Sequence, residues 1–389
     1  MSQDLSPRAL LETLVGFPTV SDQSNLELID WVEGYLLHYG VTATRISNAE
    51  GTKASIYANI GPEVEGGVIL SGHTDVVPVE GQDWGSDPFV VTEKDDKLYG
   101  RGTCDMKGFL AVALSAVPAA ARGALKRPLQ LAFSYDEEVG CLAAPELIKE
   151  MANHLPRASA AIIGEPSMMK TVSGHKGTGG YNVHVRGFEV HSSLLHTGVS
   201  AIFEATELIN WARRMNEECQ AKSPSALAVD FNPPFTTLHV GMIQGGTAHN
   251  ITAKDCRFDL EFRCVPGDPL QSWKERFLAE VATLDAALKS RHPQAGVTAT
   301  EYFSVPALAP EDNGAAERLV RKLTGDNGNH VVSYATEAGQ FQDGGYSAIV
   351  CGPGDIAQAH QPNEFIEISQ LNAGVAFVHA VVEHLKEDA

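Results

Sequence analysis

The stretch VILSGHTD (68–75) indicates the fold, because a short apolar run ends there in glycine and polar residues. Three further apolar runs end in the same way: LQLAFSY (129–135), AAII (160–163) and AIVC (348–351). Short apolar runs bounded by turn signals are typical of strands buried in a parallel sheet. Helical patterns flank these runs at about 6–16, 26–39, 106–122 and 369–386. We therefore predict an α/β domain with a mostly parallel central sheet.

The middle of the chain has a different hydrophobic pattern. YNVHVRG (181–187) alternates apolar and polar residues as a half-buried strand does. The elements predicted after it are a helix at about 199–217, strands at about 236–243 and 256–265, a helix at about 269–289 and a strand at about 296–304. This β-α-β-β-α-β order is that of a ferredoxin-like sandwich. Because the first pattern resumes near residue 310, we predict an α+β domain at 178–305 inserted into a domain formed by 1–177 and 306–389.

Composition and charge exclude several classes of protein. The chain has 389 residues, of which 43% are hydrophobic, and this content is enough to form a core and to exclude general disorder. The formal net charge of −20 argues against nucleic acid as a partner, since phosphate binding needs clustered Lys and Arg. No apolar run approaches the roughly 18–20 residues that span a bilayer. Residues 1–25 lack the layout of a signal peptide.

The six cysteines are dispersed along the chain and form no CxxC pair. That distribution is typical of a reducing cytosol, and of neither a disulfide framework nor a thiolate zinc site. We therefore expect a cytoplasmic protein with no membrane partner. If a metal ion is bound, its ligands should be histidine and carboxylate side chains.

Polar residues that can carry chemistry follow the predicted strands. They are His73, Asp75, Glu137, Glu138 and Glu165 close to three strand ends, and His360 in the loop GPGDIAQAHQPNE (352–364). In an open α/β sheet the ligand crevice lies at the carboxyl ends of the strands, so we expect these side chains to converge. A single acidic residue after a strand is most often a solvated loop residue or a helix cap, and convergence of several strand ends is harder to explain in that way. Asp105, in GRGTCDMKGF (100–109), begins the Ala-rich helix, where helix capping is the alternative interpretation.

The motifs around these residues resemble those of the M20 family of co-catalytic zinc metallopeptidases and deacylases. The motifs are GHTDVVP (72–78), GRGTCDMKG (100–108), DEEVG (136–140), GEPS (164–167), EVHSS (189–193) and AHQPNE (359–364). They occur in the family's order, and the resemblance covers essentially the whole chain. It implies a zinc-peptidase-like catalytic domain, with the inserted domain serving as a lid and as the contact of a homodimer.

The resemblance also implies a metal centre and its ligands. Two zinc ions, for which cobalt can substitute, would be bridged by Asp105. His73 and Glu165 would complete the protein ligands of one ion, and Glu138 and His360 those of the other. Zinc takes imidazole nitrogen and carboxylate oxygen, so the residue types agree with this assignment.

Three catalytic roles follow from the same resemblance. Glu137 would be the general base, and its alternative is a solvated acidic residue. Asp75 would accept the second ring N–H of His73 and fix its tautomer. His191, unless it is only a surface histidine beside a helix start, would reach the active site of the partner subunit and stabilise the oxyanion. The resemblance further implies a cis peptide bond between Asp105 and Met106.

The substrate expected from the resemblance is an N-acyl amino acid, best of all N²-acetyl-L-ornithine, as in arginine biosynthesis. Arg263 and Asn250 match positions that bind the substrate carboxylate, and Arg suits a carboxylate through its two-pronged donors. Arg263 could instead be an exposed strand residue. Glu337, in ATEAGQF (335–341), is the candidate partner of a cationic side-chain amine, and its alternative is a structural loop carboxylate.

Alternatives within the family remain open at this point. They are a succinyl-diaminopimelate desuccinylase, a general N-acyl amino acid hydrolase and a small-peptide carboxypeptidase. A catalytically silent scaffold protein is the alternative of a different class. The presence of Glu137 and of all five ligand positions argues against it.

Overall fold

The computed structural model describes residues 4–388 and divides into two compact units. The first unit comprises the chain up to Gly174, Pro310–Val331, and the chain from Thr336 onward. The second unit comprises His175–Ala309 and Val332–Ala335. The insertion predicted at 178–305 lies inside the second unit.

The first unit is built on a sheet of eight strands within the described residues. In spatial order they are β1 (Ala43–Ser47), β2 (Ala54–Ile60), β6 (Leu129–Ser134), β3 (Gly67–His73), β7 (Ala158–Pro166), β14 (Ala348–Gly352), β8 (Val172–His175) and β13 (His330–Val332). The neighbours β6, β3, β7 and β14 are parallel and almost entirely buried. These are the four strands predicted from apolar runs, and strands buried on both faces read as such runs. The mostly parallel sheet is therefore confirmed.

Antiparallel strands extend this sheet on both sides. β1 pairs with β2, β2 with β6, and β8 with β14, all in antiparallel orientation. A second, three-stranded sheet joins β15 (Phe365–Glu367), β5 (Lys97–Tyr99) and β4 (Thr92–Lys94). Its pairing of β15 with β5 brings the segment after residue 360 next to the segment before residue 101.

Helices cover the sheet of the first unit. They are α1 (Pro7–Val15), α2 (Leu26–His38), α3 (Lys107–Arg122), α4 (Ala144–His154), α7 (Ala315–Thr324), α8 (Ala338–Asp343) and α9 (Ile368–Lys386). The Ala-rich helix α3 is buried along nearly its whole length and contacts α1 and α9. The Phe109 ring packs so close to Gly164 that a Cβ there would lie 1.9 Å from the ring. Phe109 thus packs α3 against β7. None of the described helices combines the length and apolarity needed to cross a membrane.

The second unit has the β-α-β-β-α-β order predicted for the insertion. Its elements are β9 (Gly177–Arg186), α5 (Ala201–Ala221), β10 (Thr237–Gly245), β11 (Asp255–Cys264), α6 (Leu270–Arg291) and β12 (Gly296–Val305). The strands form an antiparallel sheet in the order β10-β11-β9-β12. Trp211 and Phe277 from the two helices pack with Tyr181 and Phe262 of the sheet. The short 3-10 helix Ser192–Thr197 before α5 has no counterpart in the sequence prediction.

Candidate active site

The site lies in the first unit, at the carboxyl ends of its central strands. β3 ends at His73, and this residue is in register with Ser134, the last residue of β6. Glu137 and Glu138 lie in the loop that follows β6, and Glu165 is the penultimate residue of β7, the parallel neighbour of β3 on its other side. Because parallel neighbours end at the same edge of a sheet, their terminal side chains come together there.

Asp105 lies at the centre of the cluster. Its Oδ1 atom is 3.1 Å from Nε2 of His73, and its Oδ2 atom is 3.4 Å from Nε2 of His360. The same His360 nitrogen is 2.9 Å from Oε2 of Glu138, and Nε2 of His73 is 3.8 Å from Oε1 of Glu165. The peptide bond between Asp105 and Met106 is cis, as the resemblance implied. The structure thus brings together the five side chains that the sequence proposed as ligands.

Two triads of donor atoms meet the distance condition for holding a metal ion, with all atoms within 4.8 Å of one another. One triad is His73, Glu137 and Glu165, and the other is His73, Asp105 and Glu138. These triads differ from the two proposed ligand sets, because Glu137 lies among the ligands and His360 is missing from both triads. His360 lies 2.9 Å from Glu138, and His73 lies at similar distances from Glu165 and Glu137, 3.8 Å and 4.0 Å, so the proposed ligand sets stay a prediction.

The acidic side chains of the cluster are shielded from solvent, and their pKa values reflect it. Burial raises the pKa of Glu165 well above its ordinary value, and the charges of Asp105 and Glu137 raise it further. Burial and the charge of Asp105 raise the pKa of Glu138 to about 7, against a hydrogen bond with His360. The pKa of Asp105 itself is depressed, because its hydrogen bonds with His360 and His73 outweigh the effect of burial.

The donor set fits divalent metal ions. Several buried carboxylates repel one another at short range, and a buried charge is costly unless a countercharge or a metal compensates it. Oε1 of Glu138 is buried and has no hydrogen-bond partner within residues 4–388. An unsatisfied carboxylate oxygen beside imidazole nitrogens is the kind of ligand that a zinc ion takes.

Asp75 contacts Nδ1 of His73, the ring nitrogen whose N–H its carboxylate accepts in the sequence prediction. The closest contact of His73 Nδ1, 2.9 Å, is with the main-chain oxygen of Asp75, and the carboxylate Oδ1 lies at 3.5 Å. The carboxylate accepts hydrogen bonds from Ser21 Oγ and from the main-chain N–H groups of Glu137 and Glu138. Asp75 therefore ties the end of β3 to the loop that follows β6.

Glu137 faces the cluster. Its Oε2 atom is 4.0 Å from Nε2 of His73, and its Oε1 atom accepts a hydrogen bond from the Cys141 thiol at 3.2 Å. Burial raises the pKa of Glu137 well above its ordinary value; the charge of His73 opposes this, and the charges of Glu138 and Asp105 add to it. Cys141 has no counterpart among the predicted site residues.

The ATEAGQF segment lies behind the loop that carries Glu137. Glu337 is 1% exposed, and its Oε1 accepts a hydrogen bond from Ser134 Oγ. Burial raises its pKa to about 7. Gln340 donates from Nε2 to the main-chain oxygen of Cys141 at 3.0 Å, a contact that no motif indicated. Direct contact of Glu337 with substrate needs an exposed carboxylate, and this carboxylate is buried. The role of Glu337 in substrate binding therefore stays a prediction.

The remaining predicted residues lie in the second unit. His191 and Asn250 are both exposed. Their segments are paired, because His191 forms a β-bridge with Ile251 and the N–H of Ser192 donates to the main-chain oxygen of Asn250. Arg263 lies on β11, half-buried, with Nη2 2.6 Å from Oε1 of Glu261. Their roles stay predictions.

Comparison with known proteins agrees with this geometry. The model of peptidase family M20/M25/M40 matches residues 69–384, and the chain belongs to this family of metal-dependent hydrolases. It is 35% identical to acetylornithine deacetylase of Myxococcus xanthus over 389 residues, 97% of each chain. It is 34% identical to acetylornithine deacetylase of Pasteurella multocida (strain Pm70) over 365 residues, 92% of each chain.

Among solved structures, the fold is similar to that of the M20 family metallo-carboxypeptidase Sso-CP2 from Sulfolobus solfataricus. The TM-score is 0.75 at 18% identity, and the match covers 98% of this chain and 100% of that one. At this identity the likeness concerns the fold and not the substrate.

Proposed function

We propose that this protein is a di-zinc amide hydrolase that converts N²-acetyl-L-ornithine to L-ornithine and acetate, a step of arginine biosynthesis. The observation that carries the proposal is the placement of Asp105 between two histidines, with Glu137 beside them. The relatives named acetylornithine deacetylase support the choice of substrate.

Two ligand sets share Asp105 in this proposal. His73 and Glu165 would hold one zinc ion with it, and Glu138 and His360 would hold the other. When bound, such a pair of ions polarises the scissile carbonyl and lowers the pKa of a water molecule. Depression of the Asp105 pKa keeps this carboxylate ionised over the physiological range, as binding a cation would require.

Glu137 takes the proton from the attacking water and passes it to the leaving amine. A carboxylate suits this role when its pKa is raised toward the working pH, and burial raises that of Glu137. The Cys141 thiol at Oε1 and the Asp75 contact with the main-chain N–H of Glu137 limit the positions that its carboxylate can take. The other oxygen, Oε2, faces His73.

His191 donates a hydrogen bond to the oxyanion in the active site of a second copy of the chain. Its Nδ1 atom is 3.3 Å from the main-chain N–H of Ser193, which donates to it. The same nitrogen is 2.8 Å from Oγ of Ser193, so Nε2 is the ring nitrogen that would donate to the oxyanion. Asn250 and Arg263 bind the carboxylate of the substrate.

Dimerisation through the second unit is part of the proposal. β10 is an edge strand of its sheet, and Met242 and Ile243 on it are 69% and 54% exposed. An exposed, apolar edge strand presents unpaired main-chain groups to another strand, and a two-fold axis pairs such an edge with its own copy.

A substrate comparison tests the proposal. The zinc- or cobalt-loaded enzyme is assayed with N²-acetyl-L-ornithine, N-acetyl-L-methionine, N-succinyl-diaminopimelate and a dipeptide. We expect the highest kcat/KM for N²-acetyl-L-ornithine. A higher value for the succinylated substrate or the dipeptide would transfer the assignment to the corresponding activity of the family. No hydrolysis of any amide by the metal-loaded protein would contradict the hydrolase assignment itself.

A further inference from the structure

A buried ion pair lies beside the candidate metal centre, formed by two residues to which the proposed mechanism gives no role. Arg101 Nη1 is 2.7 Å from Oε2 of Glu364, and both side chains are 1% exposed. A buried pair of this kind is costly to desolvate and is weak evidence for stability alone. The pair therefore points to a role in positioning other groups.

Glu364 holds the main chain that carries Asp105. Its Oε1 atom accepts hydrogen bonds from the N–H groups of Cys104 at 2.8 Å and of Asp105 at 3.0 Å. Its main-chain oxygen accepts from the N–H of Gly100 at 2.9 Å. The carboxylate and the main chain of one residue thus fix both ends of the segment from 100 to 105.

Arg101 connects the same pair to His360 through Gln82. Arg101 Nη2 donates to Gln82 Oε1 at 2.6 Å, and Gln82 Nε2 donates to the main-chain oxygen of His360 at 2.9 Å. His360 has φ of 63°, in the left-handed region that residues other than glycine seldom adopt. Such a conformation persists only where surrounding contacts hold it. A continuous set of hydrogen bonds therefore runs from the main chain of Asp105 to that of His360.

We propose that Gln82, Arg101 and Glu364, here called the clamp, are positioning residues that set the spacing between Asp105 and His360 and so create the metal position that these two share with Glu138. The inference rests on the proposed di-metal function. The other metal position also takes Asp105, but its remaining ligands, His73 and Glu165, lie at strand ends that the clamp does not touch. The clamp should therefore affect the affinity of the ion at His360 and Glu138 more strongly than the affinity of the ion at His73 and Glu165.

The test is a titration of the metal-free protein with Co²⁺, monitored by calorimetry and by visible absorption. It is carried out on the wild type and on Glu364→Gln. Glu364→Gln keeps the shape of the side chain but removes the charge that pairs with Arg101. Changes in residues that orient metal ligands typically weaken metal binding by about 10–100-fold. We expect that loss for one of the two Co²⁺ ions and a smaller loss for the other.

Two further variants make the result specific. Gln82→Met removes the link to His360 while leaving the ion pair, and it should weaken the same ion even if Glu364→Gln fails to fold. Arg127→Met is the matched control, because Arg127 donates to the main-chain oxygen of His384 at 2.7 Å, in a contact separate from the clamp. It should leave both affinities unchanged.

A double variant shows which ion is affected. In a His360→Ala background the position formed with His360 and Glu138 is already lost, so adding Glu364→Gln should weaken the remaining ion less than it weakens the ion at His360 in the wild-type background. Equal weakening of both ions, or lower thermal stability with unchanged Co²⁺ affinities, would overturn the positioning role. A wild type that binds fewer than two ions would instead overturn the proposed function on which the inference rests.

Discussion

Oδ1 of Asp105 lies 3.1 Å from Nε2 of His73, and both side chains are buried at the end of the central sheet. The other oxygen of the same carboxylate faces His360, from a loop that follows β14. One carboxylate thus contacts two histidines from segments far apart in sequence. This arrangement underlies the proposed bridging of two metal ions and places Glu137 beside the centre.

Replacing Glu137 with Gln tests the general base. The variant should bind both metal ions and lose about 10²–10⁴-fold in kcat, because an amide cannot take up the proton of the attacking water. The measurement is kcat together with metal content in the same preparation. Asp136→Asn is the control, since Asp136 is adjacent in sequence but pairs with Lys53. Near-normal kcat in the fully metal-loaded Glu137→Gln variant would exclude Glu137 as the base.

Mixing two inactive variants tests whether His191 acts on a second copy. His191→Ala lacks the oxyanion donor, and Glu137→Gln lacks the base. If His191 serves the active site of the other subunit, a mixed dimer regains about one working site, because both missing groups then fall on the same site. Activity is measured after subunit exchange, with each variant alone as control. Exchange without any recovery of activity would show that His191 does not act across the dimer.

Glu337→Gln tests how the enzyme recognises the ornithine side chain. If Glu337 pairs with the substrate amine, KM for N²-acetyl-L-ornithine should rise by roughly tenfold or more, since a hydrogen bond to a charged group is worth about 1.5–3 kcal/mol. KM for N-acetyl-L-methionine should change little. Equal effects on both substrates would indicate instead that the buried carboxylate supports Ser134 and the neighbouring loop.

A pH-dependent stability is expected from His175. This side chain is fully buried, and burial lowers its pKa to about 4 from an ordinary 6.5. Between these values the unfolded chain binds a proton that the folded chain does not, so the free energy of unfolding falls as the pH falls from about 6.5 to about 4.

Denaturant unfolding of the wild type and of His175→Gln, each at pH 7 and pH 5, measures this contribution. The wild type should lose about 2 kcal/mol more than the variant over this interval. The difference between the two proteins removes the contributions of other titrating groups that they share. Identical pH dependence of the two proteins would show that His175 titrates normally.

The sequence predicted the four central parallel strands of the fold, but not β2, although β2 is almost entirely buried. The parallel strands β3, β6, β7 and β14 are apolar runs because both faces are buried. β1, with the sequence ATRIS and only partial burial, carries no such pattern and was not predicted. The short strands β4, β5 and β13 have three residues each, too few for a periodicity to be recognised.

The candidate site was predictable to a similar degree. Its ligand residues follow strands, so their convergence could be expected from the topology of an open sheet. The groups that support these ligand residues could not be predicted. Gln340 reaches Cys141 across 199 residues of sequence, and Arg101 pairs with Glu364 across 263. Such pairs depend on the tertiary structure, and a single sequence contains no local signal for them.

The central claim is that two metal ions at the Asp105 site are required for amide hydrolysis. The most direct measurement removes metal with a chelator and follows N²-acetyl-L-ornithine hydrolysis while Zn²⁺ is added back to the wild type. We expect no turnover in the metal-free protein, recovery complete at two equivalents of Zn²⁺ per chain, and loss of both binding and recovery in Asp105→Ala. Full activity of the metal-free protein, or saturation of Asp105→Ala with two ions at wild-type affinity, would contradict the account.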